Sequence, residues 1–358
     1  MARMQSALTV GVVGYGLIGR THVRALAAVD GAVLTGIVSR HGPVDDEGPA
    51  APAPGVGWFT TQDELHTRCA PDVVAICTPS SLHGDQVRTA LEHGAHVLVE
   101  KPPASTVAEL QELITLAEAR DRRLAVVSQS RLHPQLAYLA EAVHGGGFGA
   151  PLLGEVRLHW FRDQAYYESA PWRAADRLGG SLPNQGWHAV DLLAWFLGPA
   201  VSVTAQAAAL AHQVEVEDTT VSTVRFASGA LGSIVTTTAT PPGEPAELRL
   251  FFERGTVRVG DTRIVEWSAP PDLPPPPDLP PRPGLVGGPG DGGSGAADPA
   301  AIGADAHRRQ WQDLVDAIRS GRRPAVTAAD SVPTLALIEA VYRSAETGRA
   351  VPPDGGDA

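Results

Sequence analysis

Apolar residues in the first 125 positions form short continuous runs, separated by stretches with helical periodicity. Runs of this length are typical of strands buried on both faces of a sheet. They span residues 8–13, 33–38, 56–59, 73–76, 96–99 and 124–127. Helical patterns at 21–29, 86–93 and 107–120 lie between them. Strand and helix in alternation predict right-handed βαβ crossovers and a doubly wound parallel sheet.

The pattern changes after about residue 150, where polar and apolar residues alternate over short segments. The predicted strands span residues 152–161, 201–210, 219–226, 230–238, 247–254 and 256–259. Turns at Ser228-Gly229 and Arg254-Gly255 predict an antiparallel meander, interrupted by a helix at 187–197. Residues 270–295 are rich in proline and glycine and predict an extended excursion. Two helices, 304–320 and 331–347, follow.

These patterns predict an α/β protein of two domains. Residues 1–125 form a Rossmann domain, and residues 126–358 form an α/β domain with an open, mainly antiparallel sheet. The closing helix 331–347 is a candidate to pack back on the first domain. A chain of 358 residues exceeds what one hydrophobic core normally supports, which agrees with two domains.

The net charge of −12 argues against nucleic acid or an anionic membrane surface as a partner. No apolar run reaches the roughly 20 residues of a membrane span. Two cysteines are too few for a disulfide framework, so we expect a cytoplasmic protein. The sequence offers no clustered ligand set, and we expect no metal.

A glycine motif follows the first predicted strand and opens the first predicted helix. It consists of Gly14, Tyr15, Gly16, Leu17, Ile18 and Gly19. Its glycines allow a tight turn and close approach of the backbone to a pyrophosphate, and the helix N-terminus supplies free N–H groups. In this strand–turn–helix context the motif predicts dinucleotide binding. A purely structural turn is the alternative.

The end of the second strand distinguishes NAD from NADP. An NAD site usually has an acidic residue about 20 positions beyond the motif, which binds the ribose 2′-hydroxyl. Ser39 and Arg40 occupy that place. Because a guanidinium can pair with a 2′-phosphate, NADP is favoured over NAD. Alternatively, Arg40 stacks on the adenine or faces solvent.

Two further segments end neighbouring strands at the carboxyl edge of the sheet. Thr78, Pro79 and His83 follow the fourth strand, and Glu100-Lys101 follows the fifth. Lys101 is the single lysine among 28 lysine and arginine residues, so it stands against a strong bias towards arginine. Since a lysine can release its proton and arginine cannot, Lys101 is a candidate proton donor beside the nicotinamide.

A second dense segment runs from Gly179 to Asp191. With a helix starting near Gln185, His188 and Asp191 lie three residues apart on one face, and Asn184 lies near the helix cap. A histidine oriented by a carboxylate is a common proton carrier. Most of the 12 histidines are surface or core residues, so only its neighbours Asn184 and Asp191 distinguish His188.

The glycine motif, Glu-Lys-Pro after the fifth strand and Gly-Gly…Asn-Gln-Gly-x-His-x-x-Asp together resemble the Gfo/Idh/MocA oxidoreductase family. The resemblance extends over nearly the whole chain, including the segment from Gln129 to Pro134 and the closing helix. It implies a hydride transfer between a nicotinamide nucleotide and a carbon of a sugar, cyclitol or related polyol. It also implies that Lys101 and His188 are the catalytic pair, that Gln129 lies among the cofactor-binding residues, and that the chain assembles as a homodimer or homotetramer.

One departure from the family pattern concerns Asn184, where many relatives have aspartate. Asparagine cannot act as a base, so the proton relay would depend on Lys101 and His188, with Asp191 in support. A group of arginine and aromatic residues also precedes the Gly-Gly turn, as in a subgroup of nucleotide-sugar and aminosugar oxidases. Its members, Arg162, Tyr166, Tyr167, Trp172 and Arg173, are candidates for substrate contact or for ordinary sheet packing.

These features predict an NAD(P)-dependent oxidoreductase acting on a CH–OH group of a small sugar-like substrate. One alternative is a glycosidase or lyase that oxidises and re-reduces its substrate with a tightly held cofactor. The other is a non-catalytic sensor that uses the dinucleotide fold, because a fold does not determine function.

Overall fold

The structure is a computed structural model that describes residues 6–43, 51–276, 279 and 304–353. The chain divides into two compact units. The first combines residues 1–129 with 303–332, and the second combines residues 130–302 with 333–358. Most of the proline-rich segment 270–295 lies outside the described residues. No helix in the described ranges is both long and apolar enough to cross a bilayer.

The first unit contains a parallel six-stranded sheet with the order β3-β2-β1-β4-β5-β6. This confirms the predicted doubly wound sheet. Its strands are β1 (Leu8–Val13), β2 (Ala32–Val38), β3 (Gly57–Phe59), β4 (Val73–Ile76), β5 (His96–Val99) and β6 (Leu124–Val126). The central strand β4 is buried at all four positions, which explains its continuous apolar run.

Helices cover both faces of this sheet. They are α1 (Leu17–Leu26), α2 (Gln62–Cys69), α3 (His83–Glu92), α4 (Val107–Ala119) and α9 (Asp305–Ser320). Alternate strand residues, among them Val10, Val12 and Ala75, share one core with α1 and with Trp311 of α9. On the other face, a Cβ added to Gly11 would lie 2.7 Å from Leu65 of α2, so glycine allows the close approach.

The helix that returns to the first unit is therefore α9. Sequence analysis suggested the closing helix 331–347 for this role. That helix, α10 (Val332–Thr347), belongs almost entirely to the second unit. Its Ser344 hydroxyl accepts a hydrogen bond from the backbone N–H of Ala205 in the second sheet, at 2.9 Å. The two final helices have similar length, and only their packing partners distinguish them.

The second unit contains a seven-stranded sheet with the order β13-β12-β11-β7-β10-β9-β8. The strands are β7 (Pro151–His159), β8 (Ala200–Ala208), β9 (Thr219–Phe226), β10 (Leu231–Thr237), β11 (Glu247–Phe252), β12 (Gly255–Gly260) and β13 (Arg263–Ser268). The sheet is open and mainly antiparallel, as predicted. A pure meander is wrong at one point, because β10 runs parallel to β7 after the chain has crossed over through helices and β8–β9.

Among the residues that the structure describes, one face of the second sheet is packed against helices and the other is open. The helices of this unit are α5 (Pro134–His144), α6 (Gln164–Glu168), α7 (Pro171–Ala175), α8 (Trp187–Leu197) and α10. A Cβ on Gly154 of β7 would lie 2.5 Å from Leu193 of α8, so glycine lets this helix approach the sheet. On the open face, Val221 is 52 % exposed and Leu231 is 49 % exposed.

Candidate active site

The turn between β1 and α1 depends on two close backbone contacts. Gly14 has a φ of +95°, in the region that favours glycine, and a Cβ there would lie 2.8 Å from the carbonyl of Cys77. A Cβ on Gly19 would lie only 2.0 Å from the carbonyl oxygen of Gly14. The turn therefore needs glycine at both positions, for reasons internal to the protein.

The first turn of α1 fits a pyrophosphate. Its N-cap is Gly16, no side chain caps the helix, and the first turn contains no acidic residue. The N-terminal N–H groups of a helix without a side-chain cap bind anions readily. A Cβ on Gly16 would meet no protein atom within 4 Å, so the space beside it is open. Leu17, the next residue, is 48 % exposed. These observations agree with the predicted dinucleotide site.

The two glycines should respond differently to alanine. We expect Gly19→Ala to lower the free energy of unfolding by ~1–3 kcal/mol, because its Cβ overlaps the protein's own backbone. Gly16→Ala should leave the empty protein as stable as the wild type but weaken nucleotide binding at least tenfold. Thermal unfolding and isothermal titration with NAD(P)H measure the two effects. Equal nucleotide affinity in Gly16→Ala and the wild type would place the pyrophosphate elsewhere.

The residues predicted to distinguish NAD from NADP directly follow β2. Ser39 is buried and Arg40 is exposed. The backbone N–H of His41 lies 3.4 Å from the Ser39 hydroxyl oxygen. An exposed guanidinium at this position is accessible to an anionic group. Residues 44–50, which continue this loop, lie outside the described residues.

His83 joins the two edge segments that follow β4 and β5. Its Nδ1 lies 2.6 Å from the carbonyl oxygen of Pro102, and its Nε2 lies 2.9 Å from that of Thr78. Burial lowers the pKa of His83, although both carbonyl contacts oppose this. A neutral imidazole has one N–H group, so it donates to one carbonyl at a time. Pro79 caps a short 3₁₀ turn, Ser80–Leu82, between these contacts. We conclude that His83 holds the edge of the sheet together.

Lys101 lies beside a buried carboxylate. Its backbone N–H donates to Oε2 of Glu100 at 3.2 Å, and Oε1 of Glu100 lies 2.9 Å from Nε2 of His22. Burial alone would raise the pKa of Glu100, but the contacts with His22 and His307 outweigh it and hold this pKa well below its usual range. Burial lowers the pKa of Lys101, whereas the Glu100 charge raises it. Lys101 is therefore adjacent to a carboxylate whose low pKa favours the charged form.

In the second unit, Tyr166 connects several predicted residues. A π turn, Ser181–Gln185, precedes α8, and the N-cap of α8 is Gly186. Asn184 lies in this π turn, two residues before the N-cap, which agrees with its predicted position near the helix cap. Asn184 Nδ2 donates to the Tyr166 hydroxyl at 3.2 Å, and Gln185 Nε2 donates to it at 2.8 Å.

Two arginines also pack against Tyr166. The guanidinium carbon of Arg162 lies 5.4 Å from the ring centroid, and that of Arg173 lies 4.3 Å from it. Arg162 is only 3 % exposed. Its pKa is lowered mainly by burial, and the charge of Arg173 lowers it further. Trp172 stacks with Arg173 at 5.5 Å. The predicted substrate residues thus form one cluster of positive charge and aromatic surface. Tyr167 packs edge-on against Tyr166, with 5.3 Å between ring centroids, but it is buried and its hydroxyl hydrogen-bonds Thr238 at 2.6 Å.

Sequence analysis missed Glu217, which holds the π turn in place. Its buried carboxylate accepts hydrogen bonds from the Ser181 hydroxyl at 2.6 Å, the Leu182 N–H at 2.9 Å and the Tyr342 hydroxyl at 2.8 Å. Burial raises the pKa of Glu217, and these three donors oppose the rise. Tyr342 is 125 residues away along the chain. No local spacing in the sequence could therefore have indicated this contact.

Asp191 pairs with Arg131, a partner that the helical spacing did not predict. Its two carboxylate oxygens accept hydrogen bonds from Nε and a terminal nitrogen of Arg131, at 2.8 and 2.6 Å. Thr334 donates to the same carboxylate at 2.9 Å. The Asp191 side chain is 1 % exposed, whereas His188 is partly buried. This bidentate pair gives Asp191 a structural role, and its support of His188 stays a prediction.

The two predicted catalytic residues lie in different units. Lys101 belongs to the first unit and His188 to the second. Gln129 begins a 3₁₀ turn, Gln129–Leu132, that follows the last strand of the first sheet.

Family models match both halves of the chain. Residues 8–128 match the oxidoreductase family with an NAD-binding Rossmann fold, and residues 136–258 match the GFO/IDH/MocA C-terminal domain. The chain belongs to the GFO/IDH/MocA family. It is thus an NAD-binding oxidoreductase, as the resemblance of its motifs implied.

Individual relatives extend over almost all of the chain. Inositol 2-dehydrogenase 2 of Paenarthrobacter aurescens is 25 % identical and covers 95 % of this chain and 98 % of its own. D-xylose 1-dehydrogenase (NADP(+)) 2 of Haloferax volcanii is 28 % identical over 78 % of this chain and 80 % of its own. The WlbA dehydrogenase of Bordetella pertussis, solved with NADH and UDP-GlcNAcA, is 30 % identical with a TM-score of 0.81, covering 97 % and 98 % of the two chains.

Proposed function

We propose that this member of the GFO/IDH/MocA family moves hydride between a nicotinamide and a hydroxyl-bearing carbon of a sugar, with Lys101 and His188 as the acid–base pair. The observation that carries the proposal is the placement of the single lysine. Lys101 directly follows β5 beside the ionised Glu100, and the glycine turn follows β1. Because the strands are parallel, both lie at the carboxyl edge where doubly wound folds bind ligands.

In this proposal, side chains of the protein transfer the proton. In oxidation, Lys101 or His188 takes the hydroxyl proton of the substrate while the same carbon loses hydride. In reduction, Lys101 donates a hydrogen bond to the carbonyl oxygen and then supplies the proton. The nicotinamide, when bound, accepts or supplies the hydride. Asn184 cannot take a proton, and its amide instead orients the hydroxyl of Tyr166.

An anionic group on the sugar fits the Arg162–Tyr166–Arg173 cluster. A buried guanidinium is costly to desolvate, and a carboxylate or phosphate pairs with it through charge-assisted hydrogen bonds. The ring of Tyr166 and the indole of Trp172 offer apolar surface to a sugar ring. WlbA, which was solved with UDP-GlcNAcA, supports the same class. We therefore favour a nucleotide-linked acidic sugar over a neutral cyclitol.

For the cofactor we propose NADP in preference to NAD. The support is the exposed Arg40 after β2, in a place where an NAD site usually has a carboxylate. Relatives provide both precedents, because the xylose dehydrogenase name specifies NADP(+) and the WlbA structure contains NADH. The alternatives are a glycosidase or lyase that recycles its nucleotide internally, and a sensor without turnover.

A turnover assay tests this function. The purified chain is incubated with a nucleoside diphosphate hexuronate or the matching neutral hexose, and with NADP⁺ or NAD⁺. We expect many turnovers, with one reduced nucleotide formed per oxidised sugar. The hexuronate should be favoured by ~10–100-fold in kcat/KM, since a hydrogen bond to a charged group contributes about 1.5–3 kcal/mol.

Arg173→Gln is the matched variant for the substrate class, because it removes the charge and leaves the buried Arg162 in place. It should lower the preference for the hexuronate and leave kcat/KM for the neutral sugar within a few-fold. A wild-type enzyme without a preference for the hexuronate would contradict the acidic-sugar assignment, and a preference unchanged in Arg173→Gln would exclude Arg173 from it. Product formation without release of reduced nucleotide would instead favour internal recycling.

The open face of the second sheet supports a proposal of self-association. Val221 and Leu231 are about half exposed there, and Arg157 and Glu247 carry opposite charges on the same face. Such a face suits a second copy of the chain, in a homodimer or homotetramer. A cytoplasmic location stays a prediction from the sequence.

A further inference from the structure

A buried group of polar side chains lies behind Glu100 in the first unit. Trp311 of α9 is fully buried, His22 of α1 is 1 % exposed and His307 of α9 is 2 % exposed. The indole N–H of Trp311 donates to Nδ1 of His22 at 3.0 Å, and Nε2 of His22 lies 2.9 Å from Oε1 of Glu100. None of these three residues belongs to the predicted nucleotide or substrate site.

The contact with the Trp311 indole determines which nitrogen of His22 carries the proton. An indole N–H can only donate, so Nδ1 of His22 must be the acceptor and carries no proton. Nε2 of the same ring therefore carries the proton and donates it to Glu100. A carboxylate that only accepts is the ionised form. The contacts thus indicate a neutral His22, in agreement with the burial that lowers its pKa, and they suit an ionised Glu100, whose pKa is held well below its usual range.

The same assignment argues against a metal ion at this place. The ligand atoms of His22, Glu100 and His307 lie within 4.8 Å of one another, a spacing that a cation could use. A metal bound through Nε2 of His22 would require the proton on Nδ1, where metal-ligating histidines normally donate to an acceptor. Nδ1 faces an N–H donor instead. Metal ligation would therefore need an imidazolate or the loss of the Trp311 contact.

We propose that Trp311 and His22 are positioning residues that keep a negative charge on Glu100 and thereby set the proton affinity of Lys101. This inference rests on the proposed role of Lys101 as acid and base. The connection runs through one carboxylate, which accepts from His22 through Oε1 and from the Lys101 backbone through Oε2, and whose charge raises the pKa of Lys101. Residues in the core of the first unit thus act on the reacting group through one hydrogen-bonded carboxylate.

The other titratable groups around Glu100 do not replace its charge. Cys77, at the end of β4, is buried, and burial raises the pKa of its thiol, so it stays neutral. Both ring nitrogens of His83 of α3 face the carbonyl oxygens of Pro102 and Thr78, so His83 bonds the backbone and not Glu100. His307 approaches Oε1 of Glu100 at 3.7 Å through Nε2, and its buried Nδ1 has no hydrogen-bond partner among the described residues. His307 therefore contributes less than the direct bond from His22.

Because Lys101 is the single lysine, its titration can be observed in the whole protein without substrate. Growth on lysine labelled with ¹³C at Cε gives one protein signal, whose shift against pH reports the pKa of Lys101. Glu100→Gln keeps the shape of the side chain and removes the charge. We expect the midpoint to fall by about one pH unit or more, since a neighbouring opposite charge raises the pKa of a cation by that amount.

Variants of His22 and Trp311 test the positioning residues themselves. A glutamine at position 22 can accept from the indole with its oxygen and donate to Glu100 with its nitrogen, whereas leucine can do neither. We expect a normal midpoint for His22→Gln and a lowered one for His22→Leu. Trp311→Phe should also lower it, because His22 can then become protonated and offset the Glu100 charge. The pH profiles of kcat in these variants should move in the same direction.

The outcomes separate this inference from the proposed function. An unchanged midpoint in folded Glu100→Gln overturns the inference. Equal shifts in His22→Gln and His22→Leu also overturn it, because they would indicate a packing effect alone. Stoichiometric zinc that is lost in His22→Gln would establish a metal site instead. If the midpoints shift as expected but Lys101→Met retains full turnover, the inference about His22 and Trp311 is supported. The proposed catalytic role of Lys101 is then wrong.

Discussion

Replacement of Lys101 by methionine is expected to lower kcat by ~10²–10⁴-fold, the usual contribution of general acid–base catalysis. Methionine has a similar length and cannot exchange a proton. Reduction should suffer most, because the lysine ammonium both polarises the carbonyl and supplies the proton. The nucleotide should still bind with an affinity within a few-fold of the wild type, because the predicted pyrophosphate site is the glycine turn before α1.

Lys101→Arg is the matched control for charge. Arginine keeps a cation beside Glu100 but does not release its proton in proteins. If proton transfer is the role of Lys101, the arginine variant should be nearly as slow as the methionine variant. Steady-state turnover and nucleotide titration, measured for both variants, decide the matter. Near-normal turnover in Lys101→Arg would reduce the role to electrostatic binding, and near-normal turnover in Lys101→Met would remove it.

Asp191→Asn is expected to lower the free energy of unfolding of the second unit by about 3–5 kcal/mol. The substitution leaves the guanidinium of Arg131, whose side chain is 9 % exposed, without its carboxylate. The amide nitrogen of asparagine would also face the donor groups of that guanidinium. Chemical denaturation, followed by tryptophan fluorescence, measures the loss.

The control is a variant that removes the whole polar group. Arg131→Met, Asp191→Leu and Thr334→Val together replace the buried ion pair and its hydroxyl by apolar side chains. Such replacements are often neutral or stabilising, so the triple variant should unfold close to the wild type. Its turnover should also stay within about tenfold. A stable Asp191→Asn variant with kcat lowered ~10²-fold would instead return Asp191 to the proton relay with His188.

The parallel sheet was predictable from the sequence because its strands are buried on both faces. Burial on both faces requires a continuous apolar run, as in β4, which is buried at all four positions, and apolar runs indicate the other strands. The glycine turn was predictable for a similar reason. Its backbone conformation and its close contacts exclude side chains at Gly14 and Gly19, so the constraint is local in the chain.

The second sheet was predictable only in part. Alternation of polar and apolar residues revealed most strands, but β13 and α5 were missed. The parallel pairing of β10 with β7 was also missed, since alternation specifies which face a residue occupies and not which strand lies beside it. Helical spacing likewise placed Asp191 and His188 on one face. It could not show that Arg131, 60 residues away, takes both carboxylate oxygens.

By itself, the sequence determined the two-domain α/β architecture, the dinucleotide turn and the unusual status of Lys101. Each of these follows from local periodicity, from a local steric limit or from composition. Only the tertiary structure decided the partners of the buried polar groups. Glu100 depends on His22 and, through it, on Trp311. Trp311 is 289 residues from His22 along the chain. Hydrogen bonds over such separations form because the packing of helices on the sheet brings their donors and acceptors together. Residues nearby in the sequence therefore do not indicate which groups pair.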